Sequence, residues 1–382
     1  MPYEISLNDL PDGVAEASAR KGEHTNIITR EFVCSEHGDL FISRLDGFPS
    51  VLTARCGIKS SSVESLLAIL RKDNTVTVYV NEVRLAVHIR CKRDTEAGEE
   101  ITSDDIVDID KVTFVNGDSL VEIEVPNESG IVWIFSAGWR KGLWYDFGPL
   151  NFAPRNYDLK SLCGQLLAYL LFQHLFKVTE SDWGKLLIQR WFLFTSLKQT
   201  TIKQMLSYAR EGWDIDDLIE QITAEVNASI TLRIQSWQRN RYFKDHFEII
   251  SAAVERHLAG DFVSANSILY PRIEGIMRSY HADLSSGTKA TQSNLIKSVI
   301  DGGGIGQNGF SLLLPDNFRR YLEEVYFENF DPSNPKSISR NTVSHGIAPI
   351  PCFDRKASLI GLLILDQLFY YLRTATAEEE QE

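Results

Sequence analysis

Residues 337–346 read SISRNTVSHG, between the proline-containing loop DPSNPKS (331–337) and the strongly apolar LIGLLILDQLFYYL (359–372). How this stretch is read decides the architecture of the C-terminal half. Arg340 and His345 form R-x4-H, a pattern that arginines and the eight histidines of a 382-residue chain also meet by chance. At the looser spacing R-x(4–6)-H, Arg30–His37, Arg239–His246 and Arg241–His246 meet it too. Context separates them. Arg239, Arg241 and His246 are expected within one amphipathic helix, and Arg30–His37 crosses a strand and a turn. The 339–347 segment, in contrast, precedes the turn GIAPIP and the last helix. As a short helical turn it puts positions 341 and 345 on one face with 340 beside them, so that arginine, amide and imidazole converge at an exposed edge.

The surrounding period is helical. Helices are expected over 158–177, 183–197, 200–210 and 214–233, with no strand afterwards. In the segment from 235 to 260, Phe243, Phe247, Ile250, Val254 and Leu258 form an apolar stripe ending at Gly260. Asp261 caps the next helix, which Pro271 should bend. Helices over 292–300 and 315–330 and a last one from 354 to 373 complete a compact bundle. The loop 304–309 spells G-x-G-x-x-G but follows a helix and lies in no βαβ unit, so it reads as an interhelical linker.

SRNTVSHG before an apolar terminal helix resembles the signature of the HEPN superfamily (higher eukaryotes and prokaryotes nucleotide-binding domains), in its abortive-infection-like branch. SILYPRIEGIMRSY (267–280) is similar to that branch's upstream helix. The resemblance covers about 140 residues, roughly 235–375, and departs from the pattern at Ser339, where Asn is frequent, and at the glycine-rich 301–309 loop. It implies an all-helical bundle that dimerises and a metal-independent endoribonuclease without cofactor. By position it gives Arg340, Asn341 and His345 the catalytic motif and Glu274 the acidic position of the upstream helix. Arg278, four residues on, is either a routine ion-pair partner of Glu274 or part of a group that orients Arg340. The implied partners are RNA and a second copy that completes a composite site, in an effector of antiviral, abortive-infection or toxin type. The rival from another class is a non-catalytic module that binds nucleotide or protein.

The first 155 residues read as a strand-rich mixed α/β domain. TVTVYV (75–80) and GIVWIFSAGW (130–139) are strands, and KVTFVNGDSLVEIEV (111–125) is a hairpin with a type I′ turn at Asn116-Gly117 in the same sheet. SSVESLLAILRK (61–72) has helical spacing behind a serine cap. The expected division is 1–155, sensory or regulatory; 156–233, a helical connection; 234–375, the bundle; and 376–382, an acidic tail. GWRKGLWYDF (138–147) is a strand end packing inward or a contact for nucleic acid or a partner. A trigger ligand or regulatory protein is expected at this domain.

The net charge of −13 disfavours non-specific coating of nucleic acid. The excess is uneven, with 25 acids to 16 bases over 1–155 but 13 to 15 over 231–356. Five irregularly spaced cysteines argue for a reducing compartment. The lone C-x-x-H of Cys34 and His37 lacks a second ligand pair for zinc. With no secretion signal and no apolar run long and unbroken enough to span a bilayer, a cytoplasmic protein without membrane contact is expected.

Overall fold

The computed structural model describes residues 2–285, 287–302 and 309–377. They form a strand-rich N-terminal region built on a sheet and a helical C-terminal region, a mixed α+β chain. Two compact units divide it. The first holds the residues up to Ile89 together with Ile109–Gln173; the second holds Arg90–Asp108 and the chain from His174. The division expected at 155/156 therefore lies elsewhere, because the helix over 159–171 packs on the sheet and belongs to the first unit.

In the first unit, β1 (Tyr3–Ser6), β4 (Arg30–Cys34), β5 (Leu66–Leu70), β6 (Thr75–Val80), β9 (Gly130–Ala137) and β10 (Arg140–Asp146) form one antiparallel sheet in the order β1-β6-β5-β9-β10-β4. β2 (Val14–Ala15) and β3 (Ile27–Ile28) pair separately. Leu66, Leu70, Val78 and Ile134 bury one face against Phe41 of α1 (Asp39–Leu45) and Leu52 of α2 (Phe48–Arg55). Each such aliphatic side chain contributes about 1.5–3 kcal/mol. The other face carries Trp133 stacked on Phe135 at 3.8 Å between centroids. Phe114 of β8 (Ile106–Asn116) meets the Trp133 ring edge-on. After the single turn α3 (Gly148–Asn151), α4 (Leu159–Leu171) brings Tyr169 edge-on to Phe32.

Two expectations fail here, both at continuous or short-range signals. The helix expected over 61–72 is instead β5, whose five residues are all buried. A strand covered on both faces reads as an unbroken apolar run, and periodicity alone cannot tell that run from a buried helix. The type I′ turn at Asn116-Gly117 is absent. The chain does turn back there, with the Asn116 amide donating to Val121 O at 2.9 Å and Ile123 N to Phe114 O at 2.8 Å. The loop is longer, however: Asn116 Oδ1 accepts from Asp118 N at 3.0 Å, and the left-handed residue is Leu120. Nor does this segment join the main sheet, since β8 pairs with β7 (Val83–Cys91) in a ladder of two strands. The tight hairpin is the one joining β9 to β10, through Gly138 and Trp139.

α5 (Gln173–Phe176) begins at the boundary, and the second unit runs on through α6 (Glu180–Ile188), α7 (Gln199–Glu211), α8 (Ile219–Arg239), α9 (Arg241–Lys244) and α10 (Phe247–Leu258). α11 (Phe262–Leu284), α12 (Gln292–Asp301), α13 (Pro315–Tyr321), α14 (Arg340–Ser344) and α15 (Arg355–Ala377) follow. α11 is central, packing against α10, α12, α14 and α15. Asp261 Oδ1 accepts from Ser264 N at 3.1 Å to start it. It continues through Pro271, and the Tyr326 hydroxyl donates to the adjoining Tyr270 carbonyl at 2.6 Å.

The helix expected over 183–197 ends at Ile188 and that over 315–330 passes into a π-helical turn, Leu322–Tyr326. Arg190 is left-handed, and the buried run from Trp191 to Phe194 follows it outside any helix. Backbone buried without helical bonds needs other partners. Trp191 N finds one in Leu186 O at 2.8 Å, and just after the run Gln367, inside the greasy last helix, accepts from Thr195 N at 3.0 Å through Oε1 while its Nε2 donates to Leu313 O at 3.2 Å. Beside it Asp366 is paired with Arg233. Among the described residues no helix is long and apolar enough to cross a membrane.

The stripe expected after residue 235 is likewise interrupted. Asn240 ends α8 and caps α9, accepting from Tyr242 N at 2.9 Å. Phe243, Ile250 and Val254 are buried, whereas Leu258 is 52% exposed. Arg239, Arg241 and His246 thus lie on three different elements or their caps rather than on one helix.

Candidate functional site

α14 is five residues long and is set by its ends. Ser339 Oγ accepts from Thr342 N at 3.2 Å while Thr342 Oγ1 accepts from Ser339 N at 2.8 Å, a reciprocal cap on a fully buried serine. Serine and asparagine cap helices about equally well, so Ser339 serves here as an asparagine would. At the other end His345 is the last residue before Gly346, whose φ of +68° few side chains tolerate. That turn lets Gly346 N reach Val343 O at 3.0 Å and Ile347 N reach Thr342 O at 3.0 Å.

Arg340 points from α14 to α11, where its Nε is ion-paired with Glu274 Oε2. The other carboxylate oxygen, Oε1, accepts from Arg278 Nε at 2.7 Å and Nη2 at 2.6 Å. Glu274 is only 3% exposed, so a buried carboxylate joins two guanidiniums. Arg278 also donates to Ala290 O at 3.2 Å. Burial lowers the Arg340 pKa from its ordinary value, yet a guanidinium remains cationic at neutral pH. The group thus carries one net positive charge.

Asn341 is buried, and its amide is fully engaged. Nδ2 donates to Phe327 O at 2.9 Å and to Glu328 O at 3.2 Å. Oδ1 accepts from Gln292 Nε2 at 2.7 Å and Arg340 Nη1 at 3.2 Å. It therefore ties α12, the end of the π turn and Arg340 together rather than presenting an amide outward. His345 is exposed, and the Phe330 ring is tilted against it at 5.5 Å between centroids. Its ring nitrogens have no hydrogen-bond partner among the described residues. The chain thus brings Arg340, Asn341, Glu274 and Arg278 into one bonded group and leaves the imidazole at its edge, on the same short helix.

Two supporting residues escape the sequence reading. Gln292 opens α12 and carries no motif. Arg190 sits among aromatic residues, in RWFLF, where nothing marks it as part of a site. It nevertheless pins the approach to α14 from three sides, through Glu328 at 2.7 Å, Val325 O at 3.0 Å and Ile338 O. The glycine after Glu274 has a packing reason: a Cβ at Gly275 would lie 3.0 Å from the His246 ring.

The other candidates are occupied elsewhere. Arg30 is paired with Asp146 at 2.8 Å, and His37 Nδ1 accepts from Cys34 N at 3.4 Å. Cys34 is buried, with Gln173 Nε2 donating to its sulfur at 3.3 Å. Among the described residues no three His, Cys, Asp or Glu side chains are gathered to hold a metal. The G-x-G-x-x-G loop, read as a linker, falls almost entirely at 303–308, outside the described residues. No protein-family model matches the chain, nor does any curated protein or solved structure.

Proposed function

We propose that this protein is a metal-independent endoribonuclease of the HEPN type, with the group around Arg340 and His345 as its active centre. The observation that carries the reading is the buried Glu274–Arg340 pair, which fixes a cation on the short helix that the exposed His345 caps, an imidazole with no hydrogen bond among the described residues. Cleavage without a metal asks for three things: removal of the 2′-hydroxyl proton, stabilisation of a phosphorane, and a proton for the departing 5′-oxygen. Imidazole titrates near neutrality and can be base or acid. In this reading the 2′-oxygen, once deprotonated, attacks phosphorus, the bond to the 5′-oxygen breaks, and the products are a 2′,3′-cyclic phosphate and a 5′-hydroxyl. Arg340 meets the charge that builds on the phosphoryl oxygens, with Asn341 holding it in place.

One motif offers one histidine, so two-sided proton transfer calls for two copies facing across a symmetric dimer. The first unit then restrains or triggers the nuclease, in keeping with an effector in antiviral or toxin-type defence acting in the cytoplasm. A second reading draws on Asn341, whose amide is wholly spent on structure: the group is a rigid, non-catalytic module for nucleotide or protein binding. Incubating the purified protein with RNA and a chelator, beside His345→Ala, separates the two. Cutting that survives the chelator and vanishes in the variant supports the nuclease. Equal cutting by both proteins, or by neither, refutes it.

A further inference from the structure

We propose that Arg278 is a second phosphate contact, so that the site takes single-stranded RNA by two neighbouring phosphates, the scissile one at Arg340 and the next at Arg278. This rests on the ribonuclease reading above and deepens it.

The buried carboxylate is the starting point. An ionised Glu274 in the interior needs compensation, and one guanidinium would suffice to neutralise it. The protein supplies two, one on each oxygen, leaving the trio with a surplus positive charge. That surplus is placed towards solvent, since the Arg278 side chain is 48% exposed and that of Arg340 23%, against 4% for Glu274. Arg340 already compensates the acid, so neutralising Glu274 is not by itself a reason for Arg278 to be there.

Geometry gives one. Two guanidiniums bound to the two oxygens of a single carboxylate are held roughly 6–8 Å apart by hydrogen-bond lengths alone, the scale of one nucleotide step along a flexible strand. Arg278 spends Nε and Nη2 on Glu274 and Nη1 on Ala290 O. The single hydrogen of Nε is spent, but Nη1 and Nη2 each keep a second one for a charge-assisted bond to a phosphate oxygen. Arg340 Nη2 has no partner among the described residues and completes the pair. Both side chains are oriented in advance, which lowers the ordering cost of gripping a mobile single strand.

The test uses the full chain and a short RNA whose cut site has been mapped with wild-type protein, made uncleavable by a 2′-O-methyl group at that nucleotide. A second RNA carries a neutral methylphosphonate at the phosphate next to the cut site. The expected result is that Arg278→Gln weakens binding of the first RNA three- to tenfold but leaves binding of the second unchanged. Arg278→Lys, which keeps the charge, should retain most of the affinity, and the salt slope of Arg278→Gln should fall by about 0.7. Equal weakening on both RNAs with an unchanged slope means that Arg278 only shapes the site, and overturns this proposal while the nuclease stands. RNA neither bound nor cut by the wild type overturns the nuclease reading and this inference with it.

Discussion

Glu274 on α11 holds Arg340 on α14 through a buried ion pair, 66 residues apart in the chain and joined by one carboxylate oxygen. The contact locks the short motif helix to the central helix of its unit. It also determines which way the arginine faces. Breaking a buried pair by neutralising one partner leaves the other charge uncompensated. Glu274→Gln is therefore expected to cost about 2–4 kcal/mol, read as a lower urea midpoint with an unchanged m-value. A loss below about 1 kcal/mol would mean that the pair behaves as if it lay in water.

His345 offers the opposite balance. Its imidazole is exposed and makes no hydrogen bond among the described residues, so His345→Ala should change stability by no more than about 0.5 kcal/mol. Cleavage, in the reading proposed above, should fall by at least about a hundredfold. Thermal unfolding beside a single-turnover cleavage assay gives both numbers. A variant that loses activity only because it unfolds would show a matching drop in Tm.

Asn341→Ala strands the acceptors and donors that its amide now satisfies, at Phe327, Glu328, Gln292 and Arg340. A loss of about 1–3 kcal/mol is expected. Gln292→Ala removes one of those bonds and should cost about 1 kcal/mol. Because they share one network, the double variant should lose less than the sum. Strict additivity in a double-mutant cycle would show that the two side chains do not communicate.

Lys92 sets a pH dependence of the fold. Its ammonium donates to Leu197 O at 3.2 Å, and burial lowers its pKa to about 8, helped by the nearby Arg233 and opposed by Asp104, Glu225 and Asp366. The unfolded chain keeps this proton to a higher pH than the folded one. Between about pH 8 and the ordinary lysine value the unfolded state thus binds more protons, and stability from this group rises with pH. Below about pH 8 the cost of burying the charge is present in full. Lys92→Met should be more stable than wild type at pH 7, and the gap should narrow towards pH 9.5. Comparing the two proteins removes the opposing titration of the buried tyrosines, whose pKa values burial raises. A gap that does not vary with pH would mean that the Lys92 ammonium is solvated in the folded protein.

The sequence alone determined the broad division into strands and then helices, because alternation in TVTVYV and the helical period after residue 158 are local signals. It also determined the beginnings and ends of several elements: Asp261 caps α11, Gly260 stops α10, and RNTVS is a short helix closed by Gly346. Each depends on bonds within a few residues. Tertiary structure decided the rest. LLAIL became a central strand only because both of its faces are covered, and the chain after RWFLF is held outside a helix by a distant side chain, Gln367, which accepts from Thr195 N. The motif itself was legible as residue types, but not its division of labour. Asn341 faces inward, His345 faces out, and Arg190 and Gln292 hold the group from other elements. Spacing along one chain reports which residues share a face; which of those faces is buried depends on what folds against it.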